Sequence, residues 1–192
     1  MPDVSPQASA DLAFALGRGE PVGVTGATGF IGSALTRALL ARGAAVRAMV
    51  EPGADTTNLE GLDVERVETD VRDPDAVDRA VRGCRALFHV AALYRFWARD
   101  PHLFYDINVG GTRHVLDAAR RGGVERMVYT STVGTLGLEA ARGGGAADET
   151  HYPDVRHLFG SYKRSKYVAE HEVLRAAAQG LPVSIVMPTF PV

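Results

Sequence analysis

The run Val22-Gly23-Val24-Thr25 passes without a break into Gly26-Ala27-Thr28-Gly29-Phe30-Ile31-Gly32, and a helical apolar period starts at Phe30. A strand can turn into a helix over so few residues only where the turn is free of Cβ atoms, and three glycines at this spacing supply that freedom. A strand followed at once by a helix crosses over to a parallel neighbour rather than closing a hairpin. The junction therefore commits the chain to parallel strands with helices packed on them.

The rest of the sequence repeats the unit. Short β-branched or apolar runs place strands at Val22–Thr25, Ala45–Val50, Val64–Glu68, Ala86–Val90, Arg126–Ser131 and Val183–Val186. Helical periods cover Phe30–Arg42, Asp75–Arg82, His102–Arg121 and Ser161–Gln179, with Gly43, Gly83, Gly122 and Gly180 beyond their ends as caps. Right-handed crossovers wind such a series into an α/β doubly wound parallel sheet, in strand order 3-2-1-4-5-6. Residues 1–20 read as an N-terminal extension, and residues 21–192 as the folded domain, ending after the sixth strand. Gly143–Thr150, which opens on three glycines, has no period and is expected to be a mobile loop.

Composition excludes several classes of function. With 21 Lys and Arg against 23 Asp and Glu among 192 residues, the net charge of −2 offers no basic footprint for nucleic acid. The single cysteine, Cys84, rules out an internal disulfide and any cysteine-clustered metal site, so no metal is expected. No apolar run is long enough to span a membrane, and the first twenty residues lack the basic start of a secretory signal. A cytoplasmic location is expected.

The glycine loop opens a helix immediately after a strand, the arrangement that binds a dinucleotide pyrophosphate. In this reading Gly26 makes the sharp turn, Gly29 admits the phosphates to the backbone N–H groups, and Gly32 lets the helix pack closely. Glu51 ends the second strand, where a carboxylate holds an adenosine ribose and repels a 2′-phosphate, so NAD is expected, with NADP as the alternative. Arg47, four residues upstream, is expected to point off the strand toward solvent. Asp70-Val71 closes the third strand and serves equally as an adenine contact or as the cap of the next helix. Ala91 and Ala92 follow the fourth strand as small residues against the cofactor or as packing, and His89 reads as a satisfied core histidine. Tyr162 and Lys166 share one helical face at i and i+4, a phenol and an ammonium able to act as an acid–base pair. Lys166 and an oxidised nicotinamide ring are together expected to draw the phenol's pKa down. A hydroxyl from Tyr129-Thr130-Ser131-Thr132, at the end of the fifth strand, would orient a substrate oxygen.

Taken in order, these motifs resemble those of the extended short-chain dehydrogenase/reductase family, also called the NAD-dependent epimerase/dehydratase family. The resemblance runs from Val22 to Val192. It rests on Thr25-Gly26-x-x-Gly29-x-x-Gly32, Asp70-Val71, His89-x-Ala91-Ala92, Asn108-Val109-x-Gly111-Thr112, Tyr129-Thr130-Ser131-Thr132 and Tyr162-x-x-x-Lys166. Within the family the chain is most similar to hopanoid-associated sugar epimerases and dihydroflavonol 4-reductase-like proteins, through Tyr94-Arg95-Phe96-Trp97-Ala98-Arg99-Asp100-Pro101 and Tyr105.

The resemblance implies an NAD(P)-binding Rossmann fold with Thr132, Tyr162 and Lys166 as the catalytic set. It implies cofactor contacts from Gly26, Thr28, Gly29, Phe30, Ile31, Gly32, Glu51, Asp70, Val71, Ala91, Ala92, Asn108, Tyr162 and Lys166. Family members continue into a smaller substrate-binding domain, so the chain is read as truncated, with that C-terminal domain absent. The expected function is an NAD(P)-dependent oxidoreductase or epimerase acting on a hydroxyl/ketone carbon of a nucleotide-sugar or polyol-like substrate, with a homodimer as an open assembly. The rival expectation is a non-catalytic dinucleotide-binding sensor.

Overall fold

The computed structural model describes residues 18–95, 97–137 and 145–189. Six parallel strands, β1 (Pro21–Thr25), β2 (Ala45–Val50), β3 (Val64–Glu68), β4 (Ala86–His89), β5 (Arg126–Thr130) and β6 (Val183–Val186), form one sheet in the order β3-β2-β1-β4-β5-β6. The expected doubly wound order is the observed one, and every expected strand is present to within one residue. Order reverses at β1, which lies between β2 and β4, so the C-terminal ends of β1 and β4 open a crevice at the switch point. Most of the N-terminal extension and part of the Gly143–Thr150 loop lie outside the described residues.

The helices divide between two faces. Helix α1 (Phe30–Ala41) packs Leu39 with Val22, Val24, Val46, Ala48 and Val50 on one side of the sheet. Helices α2 (Pro74–Val81), α4 (Gly111–Arg121) and α5 (Ser161–Ala178) bury Val77, Val81, Val115, Leu116, Ala169 and Val173 against Met49, Leu87, Met127 and Tyr129 on the other. The cap of α2 is Asp73, whose carboxylate accepts from the N–H groups of Asp75 and Ala76, with Pro74 at the first helical position. Asp70 is therefore not the cap.

Two expectations need correction. The helix expected over His102–Arg121 is interrupted: α3 (His102–Tyr105) runs through a π-helical turn at Asp106–Gly110 into α4. The extra residue in that turn accompanies a buried Asn108 whose side chain bonds the loop after β4. Arg47 does not point to solvent. Its guanidinium pairs with Glu65 at 2.8 Å and donates to the carbonyls of Ala80 (2.9 Å) and Arg82 (2.8 Å), satisfying the C-terminus of α2. This anchors it to the end of α2, on the face away from α1.

The loop from β1 to α1 is built by contact. Gly26 has φ +66°, a left-handed conformation that any side chain would strain. A Cβ on Gly32 would stand 2.1 Å from the Gly26 carbonyl oxygen, inside the turn itself. Replacing Gly32 with Ala should therefore destabilise the fold by about 1–3 kcal/mol through overpacking, read as a lowered denaturant midpoint with an unchanged slope.

Candidate active site

Gly29 differs from its two neighbours in the loop. Its φ of −71° suits any residue, and a Cβ there would come no closer than 3.4 Å to another atom, the Gly26 oxygen. Neither backbone conformation nor internal packing demands a glycine, so the space a side chain would fill is left for an approaching ligand. Helix α1 begins at this point with no side-chain cap and no acidic residue in its first turn. Its N-terminal N–H groups thus face the position a pyrophosphate takes in such folds, and these residues fit that group. Phe30 is 64% exposed beside the loop, Ile31 is half-buried, and Thr28 lends its carbonyl to Asn58 Nδ2 at 2.8 Å.

Glu51 is exposed at the end of β2. Asp70 lies across from it with its carboxylate forked by Arg72, at 3.0 Å from Nε and 2.6 Å from Nη2. That hydrogen-bonded guanidinium holds the Asp70 carboxyl below the usual carboxylate range. Arg72, which sequence reasoning missed, also feels the charges of Glu51 and Asp106, so three acids surround this one base. Val71, next to Asp70, is 8% exposed and packs against Gly111.

Between β1 and β4 a buried polar chain has a single consistent direction. Val90 N–H and Ala91 N–H both donate to Thr25 Oγ1 at 3.1 Å, so that hydroxyl gives its proton to His89 Nδ1 at 2.7 Å. His89 Nε2–H then donates to Thr112 Oγ1 at 3.0 Å, and Thr112 donates to the Asn108 carbonyl at 2.6 Å. Burial, then the nearby Lys166 charge, pushes the His89 pKa down to about 3, in keeping with a core histidine. Asn108 is 1% exposed; its Oδ1 accepts from Leu93 N–H at 2.7 Å and its Nδ2 donates to Ser165 Oγ at 2.9 Å. It thereby ties the loop after β4 to α5. Ala91 abuts the turn, its Cα 2.8 Å from where a Gly26 Cβ would be, and Ala92 follows half-buried.

Thr132 and Tyr162 meet. Burial and the neighbouring Tyr94 raise the Tyr162 pKa against the opposing effect of the nearby Thr132 side chain. The Tyr94 ring stands edge-on to Tyr162 at 5.0 Å. Lys166 is 2% exposed, donates to the Thr130 carbonyl at 2.7 Å and lies 4.3 Å above the Tyr129 ring. Burial lowers its pKa to about 7. The lowering expected from Lys166 together with an oxidised nicotinamide ring is opposed in this chain by desolvation of the phenol. Glu170, one turn beyond Lys166 and 1% exposed, also went unnoticed in the sequence, although a carboxylate on the buried stripe Lys166-Ala169-Val173 was the signal.

This fold and site coincide with a known family. The profile of the NAD dependent epimerase/dehydratase family matches residues 22–191, and the chain belongs to that family. A Synechocystis sp. protein provisionally assigned as dihydroflavonol 4-reductase is 44% identical over 88% of this chain and 48% of its own length. Sterol demethylase protein B of Methylococcus capsulatus is 42% identical over 86% of this chain and 49% of its own. The solved UDP-glucose 4-epimerase of Thermus thermophilus, in complex with NAD, superposes with a TM-score of 0.73 at 32% identity, covering 87% of this chain and 53% of that one. The chain spans about half the length of the curated relatives it matches. Among the described residues no helix is long and apolar enough to cross a membrane, and no cluster of His, Cys, Asp or Glu could hold a metal ion.

Two measurements test the site's construction. Gly29→Val should abolish NAD binding in a calorimetric titration while leaving the unfolding free energy within about 0.5 kcal/mol of the parent. His89 should not titrate: its Hε1 resonance should stay flat from about pH 8 to about pH 4. An unfolded chain protonates near the ordinary value of 6.5 while the native one waits until about 3, so this residue withdraws stability as pH falls between those values.

Proposed function

We propose that the chain carries the cofactor-binding and acid–base half of an NAD(P)-dependent oxidoreductase or epimerase acting on a hydroxyl/ketone carbon. The observation that supports this best is the placing of Tyr162 beside the Thr132 side chain after β5, with Lys166 buried one turn along the same helix. A nicotinamide dinucleotide, when bound, supplies the hydride acceptor or donor. Tyr162 takes the proton of the substrate hydroxyl at its phenolic oxygen, or returns it to a ketone oxygen. Thr132 donates a hydrogen bond to that same oxygen and fixes it against Tyr162. The buried charge of Lys166 lies on the Tyr162 helix and favours anionic oxygen nearby. His89 takes no part, since both its nitrogens are engaged.

At the adenosine end, Glu51 disfavours a 2′-phosphate, and Arg72 is already neutralised by Asp70. NAD is accordingly the cofactor of choice, with the glycine loop, Glu51 and Asp70 as its contacts. For the substrate we propose a nucleotide-sugar or polyol, the class acted on by the Thermus epimerase. A second reading, a ketone on an aromatic or polycyclic frame, is favoured by a specific observation. Tyr94, Trp97 and Phe159 are 64%, 75% and 80% exposed, and all lie within three residues of Tyr162 or of the Tyr94 that touches it. The dihydroflavonol 4-reductase relative bears a name of that kind.

Turnover followed by chromatographic separation of the epimeric sugar nucleotides with UDP-glucose, and by nicotinamide absorbance with a dihydroflavonol and reduced cofactor, separates the two substrate readings. Tyr162→Phe should reduce kcat by about 10²–10⁴-fold on whichever probe reacts, and full retention would remove Tyr162 from the mechanism. Glu51→Arg should narrow or reverse the preference for NAD over NADP in parallel calorimetric titrations. Equal affinities in the unmodified protein would count against Glu51.

A further inference from the structure

Thr132 has to hold a substrate oxygen from a segment outside regular strand, and one buried group fastens that segment. The Glu170 carboxylate, 1% exposed on α5, takes two hydroxyl donors on a single oxygen, Oε2. One is Ser131 Oγ, directly before Thr132, and the other is Thr135 Oγ1, three residues after it, at 2.9 Å. Thr135 Oγ1 also lies 2.8 Å from the Thr132 carbonyl. Both flanks of Thr132 are thus tied to the helix that bears Tyr162 and Lys166.

Glu170 also faces Lys166, one helical turn away. The groups around that ammonium are the Thr130 carbonyl and Tyr129 ring of β5, the His89 imidazole of β4, and Tyr162 and Glu170 on its own helix. His89 holds no charge near neutrality, and Tyr162 stays a neutral phenol there. Glu170 is the only acid among them. Resting on the reading of Tyr162 and Lys166 given above, we propose that Glu170 is a positioning residue, which fastens Thr132 to the Tyr162 helix and serves as the counter-charge of the buried Lys166.

The two roles separate by substitution. Glu170→Gln keeps an acceptor for Ser131 and Thr135 but removes the charge. Joint Ser131→Ala and Thr135→Ala removes the donors but keeps the charge. Both variants are made in the full chain, checked for folding by circular dichroism, and followed by NMR with 13C-labelled lysine and threonine. Lys166→Met and Thr132→Ser assign the two resonances.

In the parent the Lys166 Cε signal should titrate near its lowered value of about 7. Glu170→Gln should bring that midpoint down by about one pH unit or more while leaving the Thr132 methyl in place. The double alanine variant should shift or broaden the Thr132 methyl while moving the Lys166 midpoint by only about a few tenths of a unit. An unmoved Lys166 midpoint in Glu170→Gln, or an unmoved Thr132 methyl in the double variant, would overturn the proposal. If Glu170→Gln does not fold, Glu170→Met takes its place for the Lys166 midpoint, while the double variant decides the fastening by its Thr132 signal. None of these signals depends on turnover, so a failure here is distinct from a failure of Tyr162 as the acid–base group.

Discussion

The Gly26 carbonyl oxygen stands where a Cβ of residue 32 would be, and much of the architecture follows from that contact. It permits α1 to begin within a single turn of the end of β1 and to lie close on the sheet. With α1 in place on one face, Leu39 seals against Val22, Val24, Val46 and Ala48 without spacer residues. The same turn presses on the backbone at Ala91, which brings the ends of β1 and β4 together at the point where strand order reverses. The crevice and the open N-terminus of α1 are therefore consequences of one steric condition.

Polar groups then fix what packing leaves free. The chain from Thr25 through His89 and Thr112 to Asn108 ties β1, β4 and the start of α4, and Asn108 extends it through Ser165 to α5. Each member has its donors and acceptors matched, which is the condition under which a buried network specifies one arrangement rather than destabilising it. The π-helical turn at Asp106–Gly110 belongs to the same system, because it delivers Asn108 to the loop after β4. The helix bearing Tyr162 and Lys166 is thereby referenced to the strand that carries the glycine loop.

The electrostatics of the site follow from burial more than from pairing. Tyr162 is harder to ionise than a free phenol, Lys166 easier to deprotonate than a free amine, and both shifts arise first from desolvation. Membership in the NAD dependent epimerase/dehydratase family agrees with this arrangement. The Tyr94 ring, exposed and edge-on to Tyr162, adds an aromatic surface beside the phenol.

Local sequence determined the strands, most helix limits and the strand order, because period, glycine placement and crossover handedness act over short stretches or through general topology. It also marked Gly26, Gly29 and Gly32, whose roles depend on a single turn, and the i, i+4 relation of Tyr162 and Lys166. Contacts between distant segments were not legible. Arg47 had no visible partner along its own strand until the end of α2 arrived to receive it. The buried bonds of Asn108 to Leu93 and Ser165 join segments far apart in sequence. Arg72 became relevant only when β2 and β3 brought Glu51 and Asp70 to one edge. Glu170 gained its partners only when β5 and α5 packed together. Hydrogen bonds and desolvation depend on what lies across space, so the tertiary structure alone decided which polar residues remain available to a ligand and which hold the protein together.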